Sequence, residues 1–324
     1  MTKKNILVTG GAGFLGSYIC EQLLKLGHQV TAVDMADGQK IEQLMPNKGF
    51  NFIQDSVCDL DLMRHQLKGR DLVFHLAAIA DPLKYVTSPL NVMEVDLVAA
   101  INIFKIAAEN KTKIIFSSTS EVFGKNTDVP WKESDNRVLG PTDIYRWCYS
   151  TSKAAGEHFL YALQKQEGVP FVIYRFFNAY GPKLDDLGHG RVIPIFLKQF
   201  LHNQDVTVHG DGKQTRTFIY VDDAVDAVIK LAFCKKAEGQ VFNIGTSKEY
   251  SMYQLAQQIK RAGGFKSKIK FVPHKQIYGK GFEDIPRRVP DTKKIHQYIN
   301  WRPKVTLTAG LKKTIAYYKL KKGL

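Results

Sequence analysis

Two patterns alternate through the first half of the chain. Short runs of consecutive apolar residues give way to longer stretches in which apolar positions recur every three or four residues. The first pattern suits a strand buried on both faces, and the second a helix laid on a sheet. Their alternation predicts an α/β fold, a doubly wound parallel sheet wrapped by helices. Strands are expected at residues 6–9, 30–33, 72–76, 113–117 and 169–175, with a helix over 14–26 whose Phe14, Ile19, Leu23 and Leu24 share one side. After Pro182 the rhythm changes. Residues 184–191 are polar and contain glycine, 193–201 read as a helix, and 206–209 and 241–244 read as short strands. Helices are expected over 221–233 and 252–261, so a larger N-terminal unit is followed by a smaller C-terminal α/β one.

The first strand runs into Thr9-Gly10-Gly11-Ala12-Gly13-Phe14-Leu15-Gly16, which spaces Gly10, Gly13 and Gly16 as G-x-x-G-x-x-G. Such a loop allows a tight turn, close approach of backbone to a pyrophosphate, and close packing of helix on sheet. The helix beyond it offers free N–H groups and the positive end of its dipole. A glycine triplet alone says little, but this one follows a strand, opens a helix, and is followed by Asp34 at the end of the second strand. The pattern is that of a Rossmann-type dinucleotide site. Asp34 would bond a ribose hydroxyl and repel a 2′-phosphate, which favours NAD over NADP, although Lys40 lies nearby.

Charge and composition change this picture little. Lysine and arginine total 46 against 31 acidic residues, a net charge of +15. The excess is spread as lysine, with a concentration after Trp301 (Arg302, Lys304, Lys312, Lys313, Lys319, Lys321, Lys322), and forms no arginine-rich stripe. A solvated surface whose field favours an anionic small substrate is expected, rather than nucleic-acid binding. The longest apolar run, residues 72–80, is interrupted by His75, so no membrane span is expected. The first residues pass straight into the first strand without a signal-peptide pattern. Cys20, Cys58, Cys148 and Cys234 lack metal or disulfide spacing, which points to no metal site and to a reducing cytoplasm.

Tyr149 and Lys153 stand four apart, on one face of a helix. A free phenol is a poor base at neutral pH, but a nearby ammonium and an oxidised nicotinamide would stabilise its phenolate. Upstream, Ile114-Ile115-Phe116 leads into Ser117-Ser118-Thr119-Ser120-Glu121, polar residues expected at the carboxyl edge of the sheet, where open α/β sheets bind ligands. Thr119 can bond a substrate hydroxyl, and Glu121 brings a carboxylate beside the site of hydride transfer.

These residues together resemble the extended short-chain dehydrogenase/reductase family, the nucleotide-sugar epimerases, dehydratases and decarboxylases. The resemblance covers nearly the whole chain, through the glycine loop, Asp34, His75-Leu76-Ala77-Ala78, the Tyr149/Lys153 pair, Arg175-Phe176-Phe177-Asn178-Ala179-Tyr180-Gly181-Pro182, Gly210–Arg216, Pro290-Asp291 and Trp301-Arg302-Pro303. It implies NAD held by Gly10, Gly13, Phe14, Leu15, Gly16, Asp34, Leu76, Ala77, Tyr149, Lys153 and Phe176. It also implies Asn178 by the substrate diphosphate, with Arg191, Val192 and Arg216 bordering the nucleotide. Residues 1–175, joined by about 217–246, would form the NAD domain, and about 176–216 with 247–324 the nucleotide-sugar domain. Helices near 99–108 and 154–163 would form the homodimer bundle usual in the family.

Within the family, Ser118-Thr119-Ser120-Glu121-Val122-Phe123-Gly124 looks like the S-T-S-E-V-Y-G of UDP-glucuronate decarboxylases, with Phe123 for tyrosine. The 4,6-dehydratases carry Asp-Glu there, and Ser120, expected to bind substrate, removes that aspartate. Arg146-Trp147-Cys148-Tyr149-Ser150, Ala78–Pro82, Tyr85 and Glu94-Val95-Asp96 resemble the decarboxylase half of the polymyxin-resistance enzyme, as does the segment 278–288, whose catalytic arginine falls on Arg288. Galactose epimerases usually carry asparagines at positions 95 and 96. Gly188-His189-Gly190-Arg191-Val192 departs from the polymyxin enzyme and looks like the uridine loop of epimerases and xylose-forming decarboxylases. The resemblance therefore implies a decarboxylase of UDP-glucuronate or its 2-acetamido analogue, working through a 4-keto intermediate. Tyr149, Lys153, Thr119, Glu121 and Arg288 would be catalytic, Arg288 serving either the reaction or the diphosphate. The alternatives are a UDP-sugar C4-epimerase, a 4,6-dehydratase, and an NAD-binding regulator without turnover, against which Tyr149 and Lys153 argue.

Overall fold

The structure is a computed structural model that describes residues 2–184, 191–273 and 285–323. Its first part runs β1 (Asn5–Thr9), α1 (Phe14–Lys25), β2 (Gln29–Asp34), β3 (Phe50–Gln54), α2 (Leu60–Leu67) and β4 (Leu72–His75). There follow α3 (Pro82–Thr87), α4 (Pro89–Met93), α5 (Ala100–Glu109), β5 (Lys113–Thr119), α6 (Trp147–Glu167) and β6 (Phe171–Phe176). The second part contains β7 (Ala179–Tyr180), α7 (Val192–Leu201), β8 (Val206–His209), β9 (Thr215–Arg216), β10 (Ile219–Tyr220), α8 (Val221–Phe233) and β11 (Gln240–Ile244). It continues through β12 (Tyr250–Ser251), α9 (Met252–Gly263), β13 (Ile269–Val272), β14 (Arg287–Arg288), α10 (Lys293–Ile299) and α11 (Leu307–Lys322).

Seven parallel strands form the main sheet in the order β11-β6-β5-β4-β1-β2-β3. The order reverses at β1, so the chain leaves β1 on one side and β4 on the other, opening a crevice at their carboxyl ends. Apolar residues point to both faces. Ile6, Val8, Phe74, Ile115 and Val172 pack under α1 and α8, while Leu7, Val73, Ile114, Phe116 and Ile173 pack under α2, α5 and α6. That double burial is why the central strands read as continuous apolar runs.

Several expected elements are present with shifted ends, and the shifts matter. β5 extends through Ser118 and Thr119, which pair with Arg175 and Phe176 of β6, so the polar strand end is held in the sheet rather than in a loop. Residues Glu94–Ala99, ahead of α5, form a π-helical turn. β3 went unforeseen because its residues are half-buried and show no continuous apolar run. Outside the main sheet, β14 lies parallel to β9 with Arg288 opposite Arg216, and β12 closes that small sheet. No helix among the described residues is long and apolar enough to cross a membrane. Gly188, His189 and Gly190 and most of the segment 278–288, up to residue 284, lie outside the described residues.

Candidate active site

The glycine loop has the shape that close backbone approach demands. Gly10 turns with a φ of 71°, and a Cβ there would lie 2.7 Å from the Ala77 nitrogen and 2.9 Å from the Leu76 carbonyl carbon. A Cβ at Gly16 would lie 2.0 Å from the Gly10 oxygen. Bare backbone is therefore required at both positions, as in a cradle for a pyrophosphate. α1 starts on this loop with Gly13 as its N-cap and no side-chain cap, so the N–H groups of Phe14, Leu15 and Gly16 are directed to the cradle mouth. These features fit a dinucleotide.

Asp34 is tied into the loop. One carboxylate oxygen accepts the Ala12 N–H at 3.0 Å and the other accepts the Ala36 N–H at 3.0 Å. Each oxygen keeps a lone pair for a ribose hydroxyl. Lys40 lies in the following 3-10 turn, Gln39–Leu44. Asp34→Ala is expected to weaken NAD binding about tenfold or more, the worth of a charged hydrogen bond, and to narrow the gap to NADP. Titration of both dinucleotides by fluorescence tests this, and a wild-type preference for NADP would contradict it.

Tyr149 and Lys153 face the carboxyl end of β5 from α6. The Tyr149 ring stacks on that of Tyr85, with centroids 4.6 Å apart and planes 9° from parallel. Burial pushes its phenol up, and Asp96 and Glu121 push the same way, while Arg191 and a side-chain hydrogen bond with Thr119 oppose them. Lys153 is 1% exposed, its Nζ lies 4.9 Å over the Phe116 ring, and burial pushes its ammonium down against the pull of Asp96 and Glu157. Below it His75, bonded through Nδ1 to the Thr9 hydroxyl at 2.7 Å, is pushed down to about 3 by burial and Lys153. It is therefore neutral at physiological pH.

Glu121 follows Thr119 on a 3-10 turn, Ser120–Phe123, capped by the Thr119 hydroxyl, which accepts the Glu121 N–H at 3.2 Å. Its Oε1 accepts from Arg288 at 3.1 Å, and its Oε2 stands 3.7 Å from an Arg146 nitrogen. All three side chains are buried. Burial alone would raise the Glu121 carboxyl, but Arg288, Arg146 and Arg216 more than reverse this and hold it below the usual carboxylate range. The result is an ionised Glu121 between two guanidiniums, an anion flanked by a surplus of positive charge.

The structure brings Tyr149, Lys153, Thr119, Glu121 and Arg288 to one end of the crevice and Gly10, Gly13, Phe14, Leu15, Gly16 and Asp34 to the other. Leu76 and Ala77 line the step between them, against Gly10. Phe176 ends β6 beside Thr119, and Ser120 is buried next to it. Asn178, at a φ of 49°, donates to the Thr217 carbonyl at 2.8 Å, which ties the end of β6 to the segment ahead of β10. Arg191 donates to the Ala80 carbonyl at 3.5 Å, Val192 opens α7, and Arg216 donates to the Thr215 and Pro286 carbonyls. Sequence reasoning assigned no role to Arg146, Tyr85 or Asp96. The available signals were an arginine three positions before Tyr149 and an acid set between Val95 and Leu97. No cluster of metal-ligating side chains occurs among the described residues.

Residues 6–245 match the family model of the NAD dependent epimerase/dehydratase family, and the chain belongs to that family. It is 41% identical over 322 residues to a UDP-N-acetyl-alpha-D-glucosaminuronate decarboxylase of Bacillus cytotoxicus, covering 98% of each chain. It is 33% identical over 320 residues to UDP-glucuronic acid decarboxylase 1 of Xenopus tropicalis, covering 98% of this chain and 72% of that one. Among solved structures it is similar to a UDP-glucose 4-epimerase of Thermotoga maritima with UDP-glucose, with a TM-score of 0.88, 31% identity, and 98% and 99% of the two chains covered.

Proposed function

We propose that the protein decarboxylates a UDP-linked uronic acid, UDP-glucuronate or its 2-acetamido analogue, through a 4-keto intermediate. The observation that carries this reading is the buried Arg288–Glu121–Arg146 cluster beside Tyr149 and Thr119. Two guanidiniums at the reacting end of the sugar suit a sugar carboxylate, a charge that a neutral sugar ring lacks. The likeness to decarboxylases of this substrate class supports the same conclusion.

Gly10, Gly13, Gly16 and the α1 N-terminus would hold the NAD pyrophosphate, Asp34 its adenosine ribose, and Phe176 would lie by the nicotinamide. Bound NAD supplies a hydride acceptor at C4 of the sugar. Tyr149 removes the C4 hydroxyl proton, aided by the Lys153 ammonium, which favours the phenolate. Oxidation at C4 turns the uronate into a β-keto acid. Arg288 and Arg146 hold its carboxylate until it leaves as carbon dioxide, the bonding electrons passing toward the C4 oxygen, which Thr119 and the Tyr149 hydroxyl steady. Ionised Glu121 has no proton to give in this arrangement, so its part is to fix and partly neutralise the two arginines, and the enolate left by carbon dioxide would take its C5 proton from water. Asn178, Val192, Arg191 and Arg216 would border the nucleotide diphosphate, with Ser120 at the sugar.

The helices α5 and α6 would pair with those of a second copy as a homodimer, which would cover the exposed Tyr161 of α6. The four free cysteines suit a reducing cytoplasm. The reading is tested with a C6-labelled UDP-uronic acid and NAD. Labelled carbon dioxide should be trapped, while UDP-glucose and UDP-galactose interconvert poorly. Accumulation of the C4 epimer with no labelled gas would replace decarboxylase by epimerase.

A further inference from the structure

Asp96 is the one fully buried acid in the Glu94–Ala99 π-helical turn, which packs against α6, the helix that carries Tyr149 and Lys153. A π-turn at that point is itself informative, because such turns concentrate at functional sites. One Asp96 oxygen accepts the Ile79 N–H at 2.8 Å, which anchors the loop that follows β4. The other oxygen is buried and makes no hydrogen bond among the described residues, and the same is true of the Lys153 Nζ. Two buried groups of opposite charge type, on elements packed against each other, thus keep unused bonding capacity. A purely structural acid at this position would be expected to use both oxygens, since an unmet buried carboxylate oxygen is costly.

We propose that Asp96 is a positioning residue of the reaction: its second oxygen supplies the counter-charge for the Lys153 ammonium inside the pocket that also holds the Tyr149 phenol. The mutual electrostatics agree. Burial raises the Asp96 carboxyl and Lys153 is the leading group that draws it back down, Asp96 is the leading charge drawing Lys153 up, and Asp96 is the leading charge pushing the Tyr149 phenol up. Other groups share the space: Tyr85 on α3, Cys148 and Glu157 on α6, His75 on β4, Glu121 beyond β5, and Arg191 ahead of α7. Of these His75 is neutral, Tyr85 is held protonated by burial, Glu157 acts on Lys153 and Glu121 on Tyr149, so Asp96 is the anion that acts on both catalytic groups at once.

The proposal rests on proton transfer by Tyr149 and Lys153, and is independent of whether carbon dioxide is released. Asp96→Asn keeps the acceptor for Ile79 and nearly the same shape while removing the charge. Removing it makes the Tyr149 phenol more acidic and lets Lys153 lose its proton sooner, so both limbs of the kcat/KM profile should move to lower pH together. The expected displacement is about 1 pH unit, the low end of what a neighbouring charge does. A second reading needs no turnover: the tyrosinate absorbance of the NAD complex, taken as the difference from the same protein carrying Tyr149→Phe. Its midpoint should fall by a similar amount in Asp96→Asn. Unmoved limbs and an unmoved midpoint, with only a lower kcat, would overturn the proposal and leave Asp96 as a support for the Ile79 loop. A shift of either readout to higher pH would overturn it too. If no uronic acid is turned over at all, the decarboxylase reading fails while the tyrosinate midpoint still decides the role of Asp96.

Discussion

Tyr149→Phe will lose turnover by about three orders of magnitude while keeping its fold and its affinity for NAD. The substitution removes one oxygen and leaves the ring, so the parallel stack on Tyr85 at 4.6 Å survives. What disappears is the group that takes the C4 proton. Proton transfer by a positioned side chain is worth about 10²–10⁴ in rate, and here it is tied to hydride removal, so neither can proceed alone. Burial, Asp96 and Glu121 all oppose phenolate formation, which means that the base becomes competent only with compensating positive charge nearby. Because the hydroxyl acts in the transition state, kcat and kcat/KM should fall together. Steady-state rates, an NAD titration and a thermal melt of the variant check the three parts. Near-normal turnover would remove Tyr149 from the mechanism.

The part of this arrangement legible in the sequence is the part that local rules enforce. Gly10 and Gly16 could be read because bare backbone is demanded by contacts within a few residues of β1 and by one crossing strand, and no other residue fits. Tyr149 and Lys153 could be read because helical spacing alone places them together. The central strands could be read because double burial leaves an unbroken apolar run. The Glu121 cluster is different: the family resemblance names Glu121 and Arg288, but no local rule shows that they meet. Arg288 reaches Glu121 only because the two-residue strand β14 lies against β9, a pairing set by long-range packing and invisible to periodicity. Arg146 stands in a recognisable motif, yet its value depends on meeting the second Glu121 oxygen from across the site. β3 escaped notice for a related reason, since a half-buried edge strand carries a weak pattern.

Glu121→Gln separates the two things that the arginine cluster does, and its expected effect is second only to that of Tyr149→Phe. Glutamine keeps an oxygen for Arg288 but removes the negative charge that both guanidiniums share. A sugar carboxylate then meets two arginines with no competing anion, so ground-state binding is retained or tightened. Departure of carbon dioxide requires that carboxylate to give up its charge, and unshielded cations resist this step. Carbon dioxide release should therefore slow by about 10²-fold with KM unchanged or lower, the pattern of an interaction expressed in the transition state. Stability should change in a distinct pH window. Arg288 and Arg146 outweigh burial and hold Glu121 below its usual range, so its contribution is fully present above the unfolded carboxyl pKa of about 4.3. That contribution is lost as pH falls through the lower folded value. The variant should accordingly melt below the wild type at neutral pH, with the gap narrowing on acidification below about pH 4. Melting temperatures across that range, set beside kcat and KM for labelled uronic acid, test both halves. Equal losses in kcat and affinity would mean that Glu121 only scaffolds the site, and a gap that widens in acid would contradict its ionised state.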